Sequence, residues 1–296
     1  MSSLRSLLWL VVFTVTTGCA AGPEPFADIH LHYNWDHEEV TAPAAAVATL
    51  REHNVVLGVV AGVPSDHAVK LSAVGGGFIL PIFSPYIENQ SRYNWFRDPR
   101  VLEQARQALA SGTYVGIGEI HIGIGAYTDS PIFRGLLGLA REHAVPVLVH
   151  TDASDHRFFS PVCQEFADVR FLWAHAGALG PGQVEAMLRA CPNVWVEFSA
   201  RDPWHYGNFV RDDGVLPDAW RTLIVDNPER FMTGTDPVWN AEESNRWFEA
   251  NQGWEHYAEL IAFHRAWLAQ LPDAVEERVR LTNALEFFGV EASAGN

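Results

Sequence analysis

The sequence has little positive charge. It contains 20 Lys and Arg residues against 36 Asp and Glu residues, which gives a net charge of −16, and Lys70 is its only lysine. A chain this acidic repels the phosphate backbones of DNA and RNA. We therefore expect a small-molecule substrate and no nucleic-acid partner.

Cysteine is also scarce, with three residues in 296. Low-complexity tracts and repeats of solenoid period are absent from the sequence. Since 48% of the residues are hydrophobic, the composition is that of a globular protein with one large core. We expect a single domain over residues 26–290, followed by a short tail at 291–296.

The first 18 residues are predicted to be a signal peptide. Arg5 precedes the apolar run Leu7–Val15, which is too short to span a membrane. The following Gly18-Cys19 resembles a bacterial lipoprotein cleavage site, although Thr16 stands where such sites usually carry Leu. We expect Cys19 to carry a lipid anchor in the outer membrane, with residues 19–25 as a tether and the domain facing the periplasm. An ordinary signal peptide and an unanchored periplasmic protein are the alternative.

The other two cysteines, Cys163 and Cys191, are predicted to lie on neighbouring helices. The oxidising periplasm would permit a disulfide between them. Two buried free thiols are nevertheless our expectation, with the bridge as the alternative.

After Pro25 the pattern alternates between strand and helix, which indicates a parallel sheet. Eight such units favour a closed (β/α)₈ TIM barrel of the α/β class, and no glycine-rich dinucleotide fingerprint follows the first strand. Helices are predicted at Ala44–Glu52, Val101–Ala110, Ile132–Glu142 and Gly182–Arg189. The predicted strands are Phe26–Tyr33, Val55–Ala61, Gly77–Phe83, Tyr114–Ile120, Val145–His150, Val169–His175, Asn193–Phe198 and Arg230–Thr235.

Three connections are long and rich in aromatic residues: Ser84–Pro99, Ser199–Leu216 and Pro237–Trp254. All three leave carboxyl ends of predicted strands, the face at which barrel enzymes build their active sites. They are predicted to form an apolar wall or lid over a pocket.

Polar side chains close five of the predicted strands at that same face. A single His or Asp in such a place is usually a core residue or a helix cap, but the joint pattern favours a metal site. Imidazole and carboxylate ligands suit Zn²⁺, with Mn²⁺ or Fe²⁺ as alternatives, at one or two ions per chain. The residues are His30 and His32 on the first strand, Glu119 and His121 on the fourth, His150 on the fifth, His175 on the sixth and Asp236 on the eighth.

These motifs resemble those of the amidohydrolase superfamily, over about residues 26–290. The segment His175-Ala176-Gly177 and the later Leu281–Phe288 are similar to the amidohydrolase-related branch, which includes lactone hydrolases and decarboxylases of the aminocarboxymuconate-semialdehyde type. The segment Gly116–Ile120 resembles instead the TatD-type branch, in which the glutamate binds metal. The segments that carry the general resemblance are Asp28–His32, Val149-His150, Trp173–Gly177 and Gly234-Thr235-Asp236.

Many binuclear members of this superfamily bridge their ions through a carbamylated lysine on strand four. Lys70 precedes the third predicted strand, so a carbamate bridge is excluded. Glu119 is then the bridging candidate, and one ion or two remain open.

The resemblance also suggests individual roles. His30, His32 and Asp236 would hold the principal metal, with His150 completing its shell or binding a second ion. Asp236 would also pass the proton of the attacking water to the leaving group. His175 would bind a second ion or, with one ion, polarise the substrate carbonyl or aid proton transfer.

Four further residues are predicted from strand parity and position. Asp28 should share the inward face of His30 and orient a ligand, and Trp173 should pack inside the barrel below His175. His121 is a candidate substrate contact, extra ligand or rim residue. Arg201 is a candidate clamp for a substrate carboxylate, or a surface partner of Asp202.

The leading expectation is a metal-dependent hydrolase that uses a metal-bound hydroxide to cleave a small ester, lactone or amide. One alternative is a non-hydrolytic decarboxylase of an unsaturated carboxylic acid, for which Arg201 would hold the carboxylate. The other is a tethered binding protein without turnover, which the complete ligand set argues against.

Overall fold

The computed structural model describes residues 22–89, 94–123, 127–152, 155–239 and 250–291. The predicted signal peptide, Cys19 and most of the predicted tail lie outside these ranges, as do Tyr93 and Trp247 of the aromatic loops. Within the described ranges, no helix combines the length and the apolar character that a membrane span requires.

Eight parallel strands form the wall of a barrel, as predicted. They pair in the orders β1-β2-β3 and β4-β5-β6-β7-β8. Backbone hydrogen bonds cross both remaining seams, from Phe83 N to Gly116 O at 2.9 Å and from Ile29 N to Thr233 O at 3.1 Å. The strands are β1 (Phe26–His32), β2 (Val55–Ala61), β3 (Ile79–Ile82), β4 (Ile117–Ile122), β5 (Val147–Thr151), β6 (Phe171–Trp173), β7 (Val194–Glu197) and β8 (Phe231–Met232).

Helices fill the connections between the strands and surround the barrel. Proline occupies the first turn of four of them, where its missing N–H costs no hydrogen bond. The helices are α1 (Trp35–Glu38), α2 (Pro43–Glu52), α3 (Asp66–Gly75), α4 (Arg100–Ala110), α5 (Pro131–Glu142), α6 (Ser160–Glu165), α7 (Pro181–Ala190), α8 (Asp218–Asp226), α9 (Tyr257–Leu268), α10 (Asp273–Glu277) and α11 (Asn283–Phe288).

The core has two layers. Ile29 of β1 packs with Leu148 of β5 and Leu172 of β6, and neither of these strands is next to β1, so the side chains meet inside the barrel. Leu285 and Phe287 of α11 belong to the same cluster. The larger cluster joins the outer faces of the strands to the helices. The alternation of inner and outer side chains along each strand therefore decides what reaches the barrel mouth.

Two predictions from strict alternation are wrong. Asp28 faces α9, where Tyr257 Oη donates to its Oδ2 at 2.8 Å, and it does not join His30 inside. The reason is a register irregularity between Asp28 and Leu31, which places one extra residue in β1.

Trp173 packs outside the strands, against Phe159, and donates from Nε1 to Thr151 Oγ1 at 3.0 Å. β6 ends there, and His175 lies beyond it in a left-handed turn with φ 57°. This turn directs the His175 side chain into the barrel, so its direction does not depend on which face of the strand Trp173 occupies. Gly177 completes it because a Cβ there would lie 2.2 Å from the Trp173 ring.

Cys163 of α6 and Cys191, which follows α7, form a disulfide with a Cα–Cα distance of 6.0 Å. The expectation of two free thiols is therefore wrong. Consecutive helices of the barrel pack side by side and bring the two residues to a separation that suits a disulfide. Such a bond is compatible with the oxidising compartment that the sequence predicts.

We predict that removing this disulfide destabilises the protein. Replacing both Cys163 and Cys191 by Ala should lower the free energy of unfolding by about 3–4 kcal/mol, because the unfolded chain loses a constraint on a long loop. Urea unfolding with and without reductant measures it. Reductant should lower the stability of the natural protein and leave the double variant unchanged; equal insensitivity of both would contradict the bridge.

Candidate metal centre

Three of the predicted ligands converge at the ends of β1 and β8. The Nε2 atoms of His30 and His32 lie 3.1 Å apart. Asp236 Oδ1 lies 3.4 Å from Nε2 of His32 and 3.9 Å from Nε2 of His30. These three residues form the first group of donor atoms.

The second group lies across the mouth, at the ends of β5 and β6. His150 Nδ1 and His175 Nε2 are 3.0 Å apart, and both side chains are buried. Asp236 Oδ2 lies 3.9 Å from His175 Nε2, so its carboxylate borders this group as well.

Glu119 of β4 lies between the two groups. Its Oε2 is 3.3 Å from His32 Nε2, whereas its Oε1 is 3.1 Å from His150 Nδ1 and 3.2 Å from His175 Nε2. One carboxylate thus offers a different oxygen to each group. His121 Nε2 is 3.1 Å from Oε2, and its ring stacks on that of His150 at a centroid distance of 4.0 Å.

The donor atoms fit a metal ion. A tetrahedral ion with bonds of about 2.1 Å holds its ligand atoms about 3.4 Å apart, close to the separations within each group. Asp236 Oδ1 is buried and has no hydrogen-bond partner among the described residues. A buried carboxylate oxygen without a donor is costly, and a cation would satisfy it.

The electrostatics of the centre also favour a cation. Burial alone would lower the pKa of His30, but Glu197, Asp236 and Glu119 outweigh burial and raise the pKa well above its usual value. The pKa of Glu119 is correspondingly depressed, since the charges of His121 and His30 and its hydrogen bonds outweigh its burial. The attraction that holds a proton here would equally hold a metal ion.

Glu197 at the end of β7 is a site residue that the sequence analysis missed. Its Oε1 accepts from His30 Nδ1 at 2.9 Å and from the backbone N–H of His175 at 2.9 Å. Ser199 N donates to Oε2 at 2.6 Å. With its proton on Nδ1, His30 presents the Nε2 lone pair to the centre, which is how a carboxylate orients a ligating histidine. A charged residue ending the apolar run Val194–Val196 was the available signal.

Tyr206 and Asp152 lie at the rim. The Tyr206 ring is 5.1 Å from the ring of His175, its hydroxyl is 3.5 Å from His150 Nε2, and 43% of the residue is exposed. Asp152 Oδ1 is 2.9 Å from the same His150 nitrogen. Tyr206 therefore forms a wall of the opening above the second group.

The structure contradicts both expectations for Arg201. Its guanidinium is buried and donates to four backbone carbonyls, those of His175, Leu179, Gly207 and Asn208. Asp202 pairs with His205 instead. Burial lowers the pKa of Arg201 to about 10. Because its donors are engaged, Arg201 supports the loop after β7 and is not a carboxylate clamp.

The fold is a parallel barrel, and the candidate ligands form a metal centre at the carboxyl-terminal ends of its strands. The amidohydrolase family model matches residues 26–290. The chain therefore belongs to the amidohydrolase family and is an enzyme of that superfamily. No protein with curated annotation matches it. The similarity of β4 to the TatD-type branch stays a prediction.

Several solved structures share the fold. An amidohydrolase from Burkholderia multivorans with bound zinc is 14% identical with a TM-score of 0.54, over 90% of this chain and 100% of that one. A 5-carboxyvanillate decarboxylase from Novosphingobium aromaticivorans with bound manganese is 10% identical with a TM-score of 0.51, over 90% and 97%. An uncharacterised TIM-barrel protein from Bordetella bronchiseptica is 15% identical with a TM-score of 0.51, over 82% and 80%. At these identities the likeness establishes the fold alone.

We predict that Glu197→Gln weakens metal binding about 10- to 100-fold, because the orienting charge behind His30 is lost. Competition with a chromogenic chelator measures the affinity. Glu185→Gln, on the exposed side of α7, is the control and should bind like the natural protein. Equal affinities of the two variants would remove Glu197 from the support of the centre.

We predict that Arg201→Lys lowers the free energy of unfolding by about 2 kcal/mol or more, because a lysine cannot replace all four donors and leaves buried carbonyls unpaired. Urea unfolding measures the loss, with Arg211→Lys on the surface as the matched control. An unchanged stability together with a raised KM would restore the carboxylate clamp.

Proposed function

We propose that the protein is a two-metal hydrolase that cleaves a small ester, lactone or amide. The observation that carries the proposal is the carboxylate of Glu119, which offers one oxygen to each of two groups of histidines. A carbamylated lysine commonly bridges such a pair of ions, and the only lysine lies elsewhere. Glu119 is the carboxylate available for that role.

The chain would divide its ligands between two ions. His30, His32, Asp236 and Glu119 Oε2 would hold the first, and His150, His175 and Glu119 Oε1 the second. When bound, such ions lower the pKa of water to about 7 and polarise a substrate carbonyl. Zn²⁺ suits this set of nitrogen and oxygen donors, and Mn²⁺ or Fe²⁺ are alternatives.

Asp236 is the residue that would move the proton. Burial raises its pKa, but the charges of His30, His32 and His175 outweigh burial, so the pKa is lowered and the carboxylate is ionised at neutral pH. It can therefore accept a proton from a water at the centre and return it to the leaving group. Tyr206 would bound the substrate on the side of the second group.

Arg201 bears on the decarboxylase alternative. That reaction needs a group that holds the substrate carboxylate, and Arg201 was the candidate from the sequence. Its donors are engaged with backbone carbonyls, so this support for a decarboxylase is lost. A solved neighbour that is a decarboxylase keeps the reaction among the outcomes of the test.

We predict two metal ions per chain by elemental analysis after reconstitution with Zn²⁺ or Mn²⁺. Glu119→Gln should reduce this number to one or fewer, because the shared ligand loses its charge.

Chelation should abolish hydrolysis of a panel of esters, lactones and amides, and metal should restore it. His30→Ala and Asp236→Asn should each lose at least about 1,000-fold in kcat/KM, since metal catalysis supplies several kcal/mol.

Glu103→Gln on α4 is the control and should retain both metal and activity. One ion per chain in the natural protein and in Glu119→Gln alike would contradict the two-metal centre. Carbon dioxide release without a hydrolytic product would identify a decarboxylase. Metal binding without turnover on the whole panel would support the binding protein.

A further inference from the structure

Asp236 has a strained backbone. Its φ is 52°, in the left-handed region that non-glycine residues rarely adopt. The next residue is Pro237, and the residue before a proline normally has an extended backbone. Such a conformation persists only where its surroundings impose it. The bonds that impose it therefore position the carboxylate of Asp236.

Side chains from three other segments hold the backbone that follows Asp236. His37 of α1 donates from Nε2 to Pro237 O at 3.0 Å. His205, in the loop after β7, donates from Nε2 to Val238 O at 2.7 Å. Trp239 N donates to Asn251 Oδ1 at 3.0 Å. Each of the three residues after Asp236 is thus fixed by a separate side chain.

The two histidines differ in their hydrogen-bond partners. His37 Nδ1 accepts from Asn34 N at 3.1 Å, and its Nε2 donates to the carbonyl of Pro237. His205 Nδ1 lies 2.9 and 3.0 Å from the two carboxylate oxygens of Asp202, while its Nε2 faces a carbonyl. Both neighbours of His205 are acceptors, and only an imidazolium donates to both.

The charge of His205 is supported by its surroundings. Asp202 is buried, and Trp204 N donates to its Oδ1 at 2.9 Å. Burial alone would lower the pKa of His205, but the hydrogen bond and charge of Asp202 outweigh it and raise the pKa to about 9. Arg201, the residue before Asp202, donates hydrogen bonds to four backbone carbonyls. The bond to Val238 therefore starts from a rigid base.

We propose that His205, protonated and held by the buried carboxylate of Asp202, is the positioning residue that keeps Asp236 in its strained conformation at the metal centre. The bond to Val238 is charge-assisted and so stronger than one between neutral groups. It couples the loop after β7 to a ligand that follows β8. The inference rests on the proposed metal centre, because its effect is expressed through Asp236 as a ligand.

Cobalt binding tests the inference without a substrate. The probe is Co²⁺ alone, added to the metal-free full-length protein; its affinity is measured against a chelator and its geometry from the visible absorption. His205→Phe should raise the apparent Kd for Co²⁺ about 10- to 100-fold, as loss of a ligand's support does, and should alter the absorption. His205→Gln, which keeps a donor for Val238 without the charge, should show a smaller effect.

His156→Phe is the matched control, since this histidine lies in the loop after β5 and contacts Gln183 instead. A folded His205→Phe protein with the Kd and absorption of the control would overturn the inference. If His205→Phe does not fold, Asp202→Asn decides in the same way: a raised Kd supports the inference and an unchanged one refutes it.

The proton on His205 has its own test. The ¹⁵N chemical shifts of the ring at pH 7, assigned by their loss in His205→Gln, should be those of an imidazolium, and a neutral ring would contradict the proposal. This measurement needs no metal. Failure of the natural protein to bind Co²⁺ would instead refute the metal centre, so the two failures are distinguishable.

Discussion

Burial of negative charge at the barrel mouth is the constraint on which the rest of the structure depends. The carboxylates of Glu119, Glu197 and Asp236 lie within reach of the same few histidines, and little of their surface meets solvent. Charges removed from water are costly unless partners compensate them. Glu197 is compensated by hydrogen bonds from Ser199 and His30. Glu119 and Asp236 face the same rings, those of His30, His32 and His175, and a metal cation among these groups would compensate both carboxylates.

A regular barrel would not make this arrangement by itself. Strict alternation in β1 would bring Asp28 inside with His30, and the extra residue before Leu31 prevents it. The register of β4 is irregular as well, between Ile117 and Ile120, next to Glu119. His175 and Asp236 both have positive φ. Several departures from regular structure thus lie at or beside candidate ligands, as they do where function outweighs local preference.

The sequence predicted the parts of the molecule that follow from repetition. The eight apolar runs predicted the strands. The polar residues at the ends of five of these runs predicted the candidate ligands that the structure brings together. What it could not predict depends on contacts between distant segments. Predicting the disulfide would have required the detailed packing of α6 against α7. Predicting the orientation of Trp173 would have required the turn at His175.

Arg201 and Glu197 both show this limit of prediction from sequence. The role predicted for Arg201 was wrong, and the role of Glu197 was missed. In the sequence, an arginine beyond a strand end suggests recognition of a substrate, whereas a glutamate that ends an apolar run indicates a polar site without identifying its partner. Their roles depend on partners from distant parts of the chain: Arg201 meets the carbonyl of Leu179, and Glu197 meets the ring of His30. A rule based on strand parity contains no information about such partners.

β7 contributes no candidate ligand, yet it has a function at the centre. Within the described residues, β7 and its loop place Glu197 behind His30, the Ser199 carbonyl against His175 Nδ1, and His205 under the backbone after Asp236. Each of these contacts reaches a different candidate ligand. Rigid ligands bind metal more tightly, because less conformational freedom is lost on binding. β7 and its loop thus help to hold His30, His175 and Asp236 in place without contributing a donor atom themselves.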